Sequence, residues 1–203
     1  MAIGTILFDF GGVLLRTEDR RPRQKLAAKY GLDEEDLIYL VFGSPSALSA
    51  TVGKITAEQH WRQVAAALGA TEAQIPLIRE QFFAGDRLDE ELLQFIRSHR
   101  QTHRIGLLSN AWDDMRRILN DELGILTLFD DVIISAEVGL MKPDRSIYEL
   151  AAQRFNTPLS EMVFVDDLPV NVQAAREAGM NSFQFRSTAQ TIHDLQRLLE
   201  EES

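Results

Sequence analysis

The sequence predicts an α/β protein: a doubly wound parallel sheet with a small all-helical unit inserted after its first strand. Three observations predict it. An apolar run near the start, Thr5 to Phe8, breaks at Asp9 and the pair Gly11-Gly12. From Asp86 onward, short apolar runs alternate with helical stretches. Between the two, residues 16–85 carry helical spacing and no convincing strand. The core is therefore expected from residues 1–15 and 86–203, and the inserted unit from 16–85.

Each element has its own signal. The first strand is apolar throughout, as a strand buried on both faces must be. A basic segment, Arg16 to Arg23, leads into a helix that stops near Gly31. Asp33 to Asp36 suit the N-terminus of a second helix, over Leu32 to Val41. Phe42 to Gly53, rich in Gly, Ser and Pro, reads as a loop. Thr56 and Gln59 have capping-box spacing, and Trp61, Val64, Ala65 and Leu68 follow at helical intervals. A short helix near Pro76 carries Ile78 and Phe82. Leu88, Leu92, Phe95 and Ile96 mark the next helix, and Arg104 to Leu108 a strand. A helix through Met115 and Leu119 closes at Gly124, and Val132 to Ile134 is the third core strand. Pro143 is placed to start a helix through Tyr148. Met162 to Val165 is a strand, Pro169 to Ala178 a helix, Ser182 to Phe185 a last strand, and Ile192 to Leu199 a last helix.

Composition narrows the function. The chain has 203 residues and 45% hydrophobic content, enough for a full core. A net charge of −10 argues against nucleic acid or an anionic membrane as the main partner. Without cysteine there is no disulfide, thiol nucleophile or Cys-based metal site. No basic leader precedes the first strand and no apolar run has membrane length, so a soluble cytoplasmic protein is expected.

The polar residues that break the pattern fall at strand ends. Asp9 ends the first strand and Ser109-Asn110 the second, Lys142 follows the third, and Asp166-Asp167 end the fourth. Each has an ordinary explanation as a cap, a turn or solvated surface. Ordinary explanations do not account for all of them sharing one edge of one sheet, where such folds bind ligands. Three carboxylates around one point need a cation, and oxygen-only ligands suggest Mg²⁺. Together with a lysine, a hydroxyl and turn N–H groups, they suit a phosphate dianion. Asp9 then serves as both metal ligand and nucleophile.

At these residues the chain resembles the haloacid dehalogenase (HAD) superfamily, in its phosphatase-like branch. Phe8-Asp9-Phe10-Gly11-Gly12-Val13-Leu14 is similar to motif I and Leu107-Leu108-Ser109-Asn110 to motif II. Lys142-Pro143 is similar to motif III, and Val163 to Asp167, followed by Asn171 and Ala178-Gly179, to motif IV. The resemblance implies a Rossmann-like core, and the insert resembles a type C1 cap that carries selectivity. It implies a Mg²⁺-dependent phosphatase acting on a small phosphorylated metabolite, such as a sugar phosphate, through an aspartyl-phosphate. Asp9 would attack phosphorus and bind Mg²⁺, Gly11 would offer the metal its carbonyl, and Gly12 would line the phosphate site. Ser109 and Asn110 would hold phosphate oxygens, Lys142 would neutralise charge, and Asp166 and Asp167 would bind the metal. Trp112, three residues beyond Ser109, would pack on the cap or touch substrate.

One departure stands out. The family's phosphatases usually carry an acid two residues after the nucleophile, and here that position is Gly11. Losing a general acid/base costs about 10²–10⁴ in rate. Three readings stay open: an easier leaving group, a substitute donor such as His60, Lys54 or an arginine of the 16–23 segment, or a catalytically silent phosphate-binding protein. A metal-free 2-haloacid dehalogenase is a further alternative, but it would leave Asp166-Asp167 without a task.

Overall fold

A computed structural model describes residues 3–201 of the chain. In chain order it runs through strand β1 (Thr5–Phe8), strand β2 (Leu15–Thr17) and the helices α1 (Arg21–Lys29), α2 (Glu34–Ile38), α3 (Pro45–Thr51), α4 (Ala57–Ala67) and α5 (Ile75–Phe83). Strand β3 (Asp86–Leu88), helix α6 (Glu90–His99), strand β4 (Arg104–Ser109) and helix α7 (Met115–Arg117) follow. Then come strand β5 (Asp131–Ile134), helices α8 (Ser135–Val138) and α9 (Arg145–Phe155), strand β6 (Met162–Asp166), helix α10 (Pro169–Ala178), strand β7 (Asn181–Gln184) and helix α11 (Thr188–Glu201).

The main sheet has the order β5-β4-β1-β6-β7, and every pairing in it is parallel. The earliest strand is central, and the connection reverses direction on either side of it. The crevice at such a reversal lies at the carboxyl ends of the strands. The alternation of β1 explains its apolar run. Ile6 and Phe8 pack on one face with Leu92, Ile96 and Leu195, from α6 and α11. Leu7 packs on the other face with Phe155 and Ala175, from α9 and α10. With both faces covered, a polar side chain on β1 needs a partner: Thr5 has Thr157, at 2.9 Å between hydroxyls, and the next polar residue, Asp9, stands where the strand ends.

Helices α1–α5, with the helical turn Tyr39–Gly43 after α2, form a third apolar cluster, built on Leu26, Leu37, Val41, Trp61, Val64, Ile78 and Phe82. The Thr56–Gln59 capping box is present in both directions and starts α4. Three sequence expectations are corrected. Residues 42–53 are not all loop: Ser44 caps Ala47 N–H, Pro45 takes the first turn, and α3 buries Ala47, Ala50 and Thr51. Small residues at helical spacing carry too little apolar contrast to mark a helix in sequence. Leu88 is not helical; it pairs with Leu15 in a two-stranded antiparallel ribbon, β2–β3, at the neck of the insert. Asp89 then caps α6 through Leu92 N–H. Strands of three residues are too short to show a period. Pro143 does not open α9: Asp144 is still extended (ψ 131°), and the helix begins at Arg145.

Candidate active site

The residues at the strand ends form one ionic cluster. Asp9 N–H donates to the Val165 carbonyl at 2.8 Å, extending the β1–β6 register, so Asp9 and Asp166 end adjacent strands. Lys142, only 1% exposed, reaches between them. Its Nζ lies 2.8 Å from Asp9 Oδ1 and 2.6 Å from Asp166 Oδ2. A buried ammonium is tolerated only with such partners. Phe10 N–H also donates to Asp9 Oδ1, at 2.7 Å, whereas Asp9 Oδ2 accepts no hydrogen bond among the described residues.

Asp166 is fully buried and saturated. Its Oδ1 accepts from Leu168 N–H at 2.8 Å and Asn171 Nδ2 at 3.0 Å, and Asn171 Nδ2 also lies 3.1 Å from Oδ2. Asn171 is steadied in turn by Tyr148, whose hydroxyl donates to its carbonyl at 2.9 Å. Asp167 is half-buried, and its carboxylate lies against Gly12. A Cβ added at Gly12 would stand 2.4 Å from Asp167 Oδ2, and the residue has φ +80°. Gly12 is thus required twice, by backbone conformation and by this close approach. Gly11 differs. It is exposed, its φ is outside the left-handed region, and an added Cβ would meet nothing within 4 Å.

Lys142 is located by Asn110. The Asn110 amide spans the lysine's backbone, accepting its N–H at 2.8 Å and donating to its carbonyl at 2.8 Å. Ser135 clasps the same region through the N–H and carbonyl of Ala111, at 3.0 and 3.1 Å. Ser109 is buried, and its hydroxyl has no hydrogen-bond partner among the described residues. Trp112 packs with the helices of the insert. It is 9% exposed and sits in the apolar cluster of the insert, with ring centroids 4.7 Å from His60, 5.8 Å from Trp61 and 5.9 Å from Phe42. The next two residues continue the junction. Asp113 accepts from Ala57 N–H at 2.8 Å, and Arg79 donates to Asp114 at 2.6 Å.

Electrostatics match the geometry. Burial pushes the Asp9 carboxyl up from 3.8 to about 6; Lys142 opposes this and Asp166 adds to it. Burial and the neighbouring Asp166 also raise Asp167. Asp9, Asp166 and Asp167 each offer a carboxylate oxygen, all within 4.8 Å of one another. This hard, oxygen-only donor set fits a divalent cation such as Mg²⁺.

Most of the possible substitutes for an acid at Gly11 are committed elsewhere. His60 is fully buried. Its Nε2 lies 2.9 Å from the Val41 carbonyl, which can only accept, so Nε2 carries the proton and Nδ1 accepts from Ser46 Oγ at 2.8 Å. Burial also lowers its pKa. Arg16 pairs with Asp89, Arg20 with Glu34, Arg21 with Asp19, and Arg23 with Asp86. Lys54 is exposed, beside the turn at Gly53 that rests on the Ala136 carbonyl. Sequence reasoning missed the positioning parts, Tyr148 and Ser135. A hydroxyl at the end of an apolar strand was the available signal for Ser135; Tyr148 was hidden within a helical pattern.

An acid–lysine cluster at the carboxyl ends of the strands, where the order of a parallel sheet reverses, is the ligand site of an open α/β protein, with an aspartate at its centre. The family model for haloacid dehalogenase-like hydrolases matches residues 3–179, and the chain belongs to that family. A D-ribitol-5-phosphate phosphatase of Bacteroides thetaiotaomicron is 24% identical over 97% of this chain and 98% of its own length. A haloacid dehalogenase family enzyme of the same organism, solved with magnesium and inorganic phosphate, superposes with a TM-score of 0.76 at 20% identity, covering 92% of this chain and 96% of that one. The drimenol cyclase of Aspergillus calidoustus is 33% identical over 49% of this chain, which spans only 20% of that protein's length. Among the described residues no helix is long and apolar enough to cross a membrane.

Proposed function

We propose that the protein is a Mg²⁺-dependent phosphatase that hydrolyses a small phosphorylated metabolite through an aspartyl-phosphate on Asp9. One observation carries this reading: Lys142 Nζ is held 2.8 Å from Asp9 and 2.6 Å from Asp166, with Asp167 in the same cluster. A nucleophile, a fixed positive charge and a spare carboxylate then share one crevice.

Asp9 Oδ2, left unbonded by the protein, attacks phosphorus. Lys142 balances charge on Asp9 and on the phosphoryl oxygens. Ser109 Oγ donates to a phosphoryl oxygen and the Gly11 N–H lines the same site, whereas the Gly12 N–H is already given to the Leu15 carbonyl at 2.9 Å and only shapes the turn. Asn110 aligns Lys142 through its backbone and completes the phosphate side of the pocket. Asp9, the Gly11 carbonyl and Asp167 would hold the Mg²⁺, with Asp166 beside them. When bound, the ion supplies positive charge that draws a phosphate dianion against three carboxylates. Asp166, with its oxygens already engaged, chiefly orients Lys142. Residues 16–85 act as the cap that covers the crevice and selects the substrate, and Trp112 joins that cap to the core. The relative described as a D-ribitol-5-phosphate phosphatase and the family structure holding magnesium and phosphate support this reading.

The test is phosphate release from an aryl phosphate, with and without chelator, for the wild type and Asp9→Asn. Turnover that needs Mg²⁺ and is lost in Asp9→Asn is expected. Turnover that survives both would overturn the assignment of Asp9.

A further inference from the structure

Resting on the phosphatase reading, we infer that the substrate's leaving group is an oxygen less basic than a simple alkoxide, most clearly the carboxylate of an acyl phosphate, and departs without a proton from the enzyme. The two glycines after the nucleophile carry the argument. Gly12 is imposed by the fold, since any side chain there would meet Asp167 at 2.4 Å and the residue has φ +80°. Gly11 is not imposed by anything around it. Its φ suits an ordinary residue, and a Cβ would meet nothing within 4 Å. The first carbon of a side chain would therefore fit at Gly11, two residues from the nucleophile, and the chain places none there.

Of the side chains named as substitutes, His60 and the four arginines are occupied. Both His60 nitrogens are bonded inside the insert, and Arg16, Arg20, Arg21 and Arg23 are each ion-paired. Lys142 is fixed between two carboxylates and is needed as a cation. Among the substitutes considered, only Lys54 is left without a committed partner.

The chemistry balances without a proton donor. In the first step Asp9 Oδ2 forms a bond to phosphorus. The bond from phosphorus to the leaving oxygen breaks, and that oxygen leaves with the electron pair as an anion. In the second step water bonds to phosphorus, the Asp9–phosphorus bond breaks, and Asp9 recovers its electron pair as a carboxylate. Both protons of the water stay with the phosphate product. A carboxylate is a good leaving group, so this second step is less dependent on a base than the first is on an acid. The first step therefore selects the substrate: a simple alkoxide leaves poorly, and a weakly basic oxyanion leaves readily.

The experiment is kcat/KM with Mg²⁺ across substituted phenyl phosphates of graded leaving-group basicity, with acetyl phosphate, glucose 1-phosphate and D-ribitol 5-phosphate. It compares the wild type, Gly11→Asp and Lys54→Met. The wild-type rate should fall steeply, by about 10²–10⁴-fold from the least to the most basic leaving group. Gly11→Asp should flatten that dependence and raise turnover of the poorest phenyl phosphate about 10²-fold. Lys54→Met should keep the wild-type slope. A shallow wild-type slope, D-ribitol 5-phosphate turned over as readily as acetyl phosphate, or a slope steepened by Lys54→Met would each overturn this inference while leaving the phosphatase reading intact. No turnover of even the best phenyl phosphate would instead remove the phosphatase reading, and this inference with it.

Discussion

Replacing Trp112 with alanine separates two roles for a residue placed just beyond Ser109. The ring is 9% exposed and packs against His60, Trp61 and Phe42. A buried tryptophan removes about 150–250 Å² from water. At about 25 cal/mol per Å² this corresponds to roughly 4–6 kcal/mol, and truncations of this kind typically cost about 3–5 kcal/mol. A loss near 4 kcal/mol is expected, a large part of the roughly 5–15 kcal/mol that holds a domain folded. Because that could unfold the chain, Trp112→Phe serves as the milder variant and should lose clearly less. The assay is urea denaturation joined to amide hydrogen exchange. Protection should fall first in α4, whose Ala57 N–H is tied to Asp113. A ring used mainly for stacking on substrate would behave oppositely. If Trp112→Ala lost under about 1 kcal/mol, kept α4 protection and changed only KM, its role in joining insert to core would be refuted.

Other outcomes follow from the same geometry. Gly12→Ala should lose about 1–2 kcal/mol from its left-handed backbone and weaken Mg²⁺ binding at least tenfold by displacing Asp167, whereas Gly11→Ala should change neither; titration calorimetry compares them. In chelator, Asp9 binds its proton more tightly folded than unfolded, because its pKa rises from 3.8 to about 6. The unfolded state therefore ionises first as pH rises, and stability falls through the window between those values, by up to about 3 kcal/mol. Asp9→Asn should remove that fall, and parallel denaturation curves for the two proteins at pH 8 and pH 4 would expose a wrong sign. His60 has the opposite sign. Its folded pKa lies below 6.5, so its contribution is complete above that value and is lost as pH falls below it. His60→Gln should flatten this acid-side loss, read as the difference in urea midpoint between pH 7.5 and pH 5.5.

The local sequence determined the sheet. β1, β4, β5 and β6 are each buried along most of their length, so each is written as an apolar run that stops at a polar residue: Asp9, Ser109, Ser135 and Asp166. That is why Asp9, Ser109, Lys142 and Asp166-Asp167 could be picked out as one set before any coordinates. Helices with strong caps or contrast, such as the one opened by Thr56 and Gln59, were equally legible. Elements whose signal is short or weak were not: α3 hides among small residues, and β2 and β3 have three residues each.

Tertiary structure alone decided how the set is divided. Asp166 and Asp167 are neighbours in sequence, yet one is sealed among Lys142, Leu168 and Asn171 while the other lies against Gly12. Trp112 and His60 lie far apart in sequence, and only packing makes them one junction. The two glycines of the turn look alike as letters, but one has a carboxylate at its Cβ position and the other has open space. Sequence records which residue is present. Whether a position is forced or free depends on atoms brought there from elsewhere in the chain, and those distances exist only after folding.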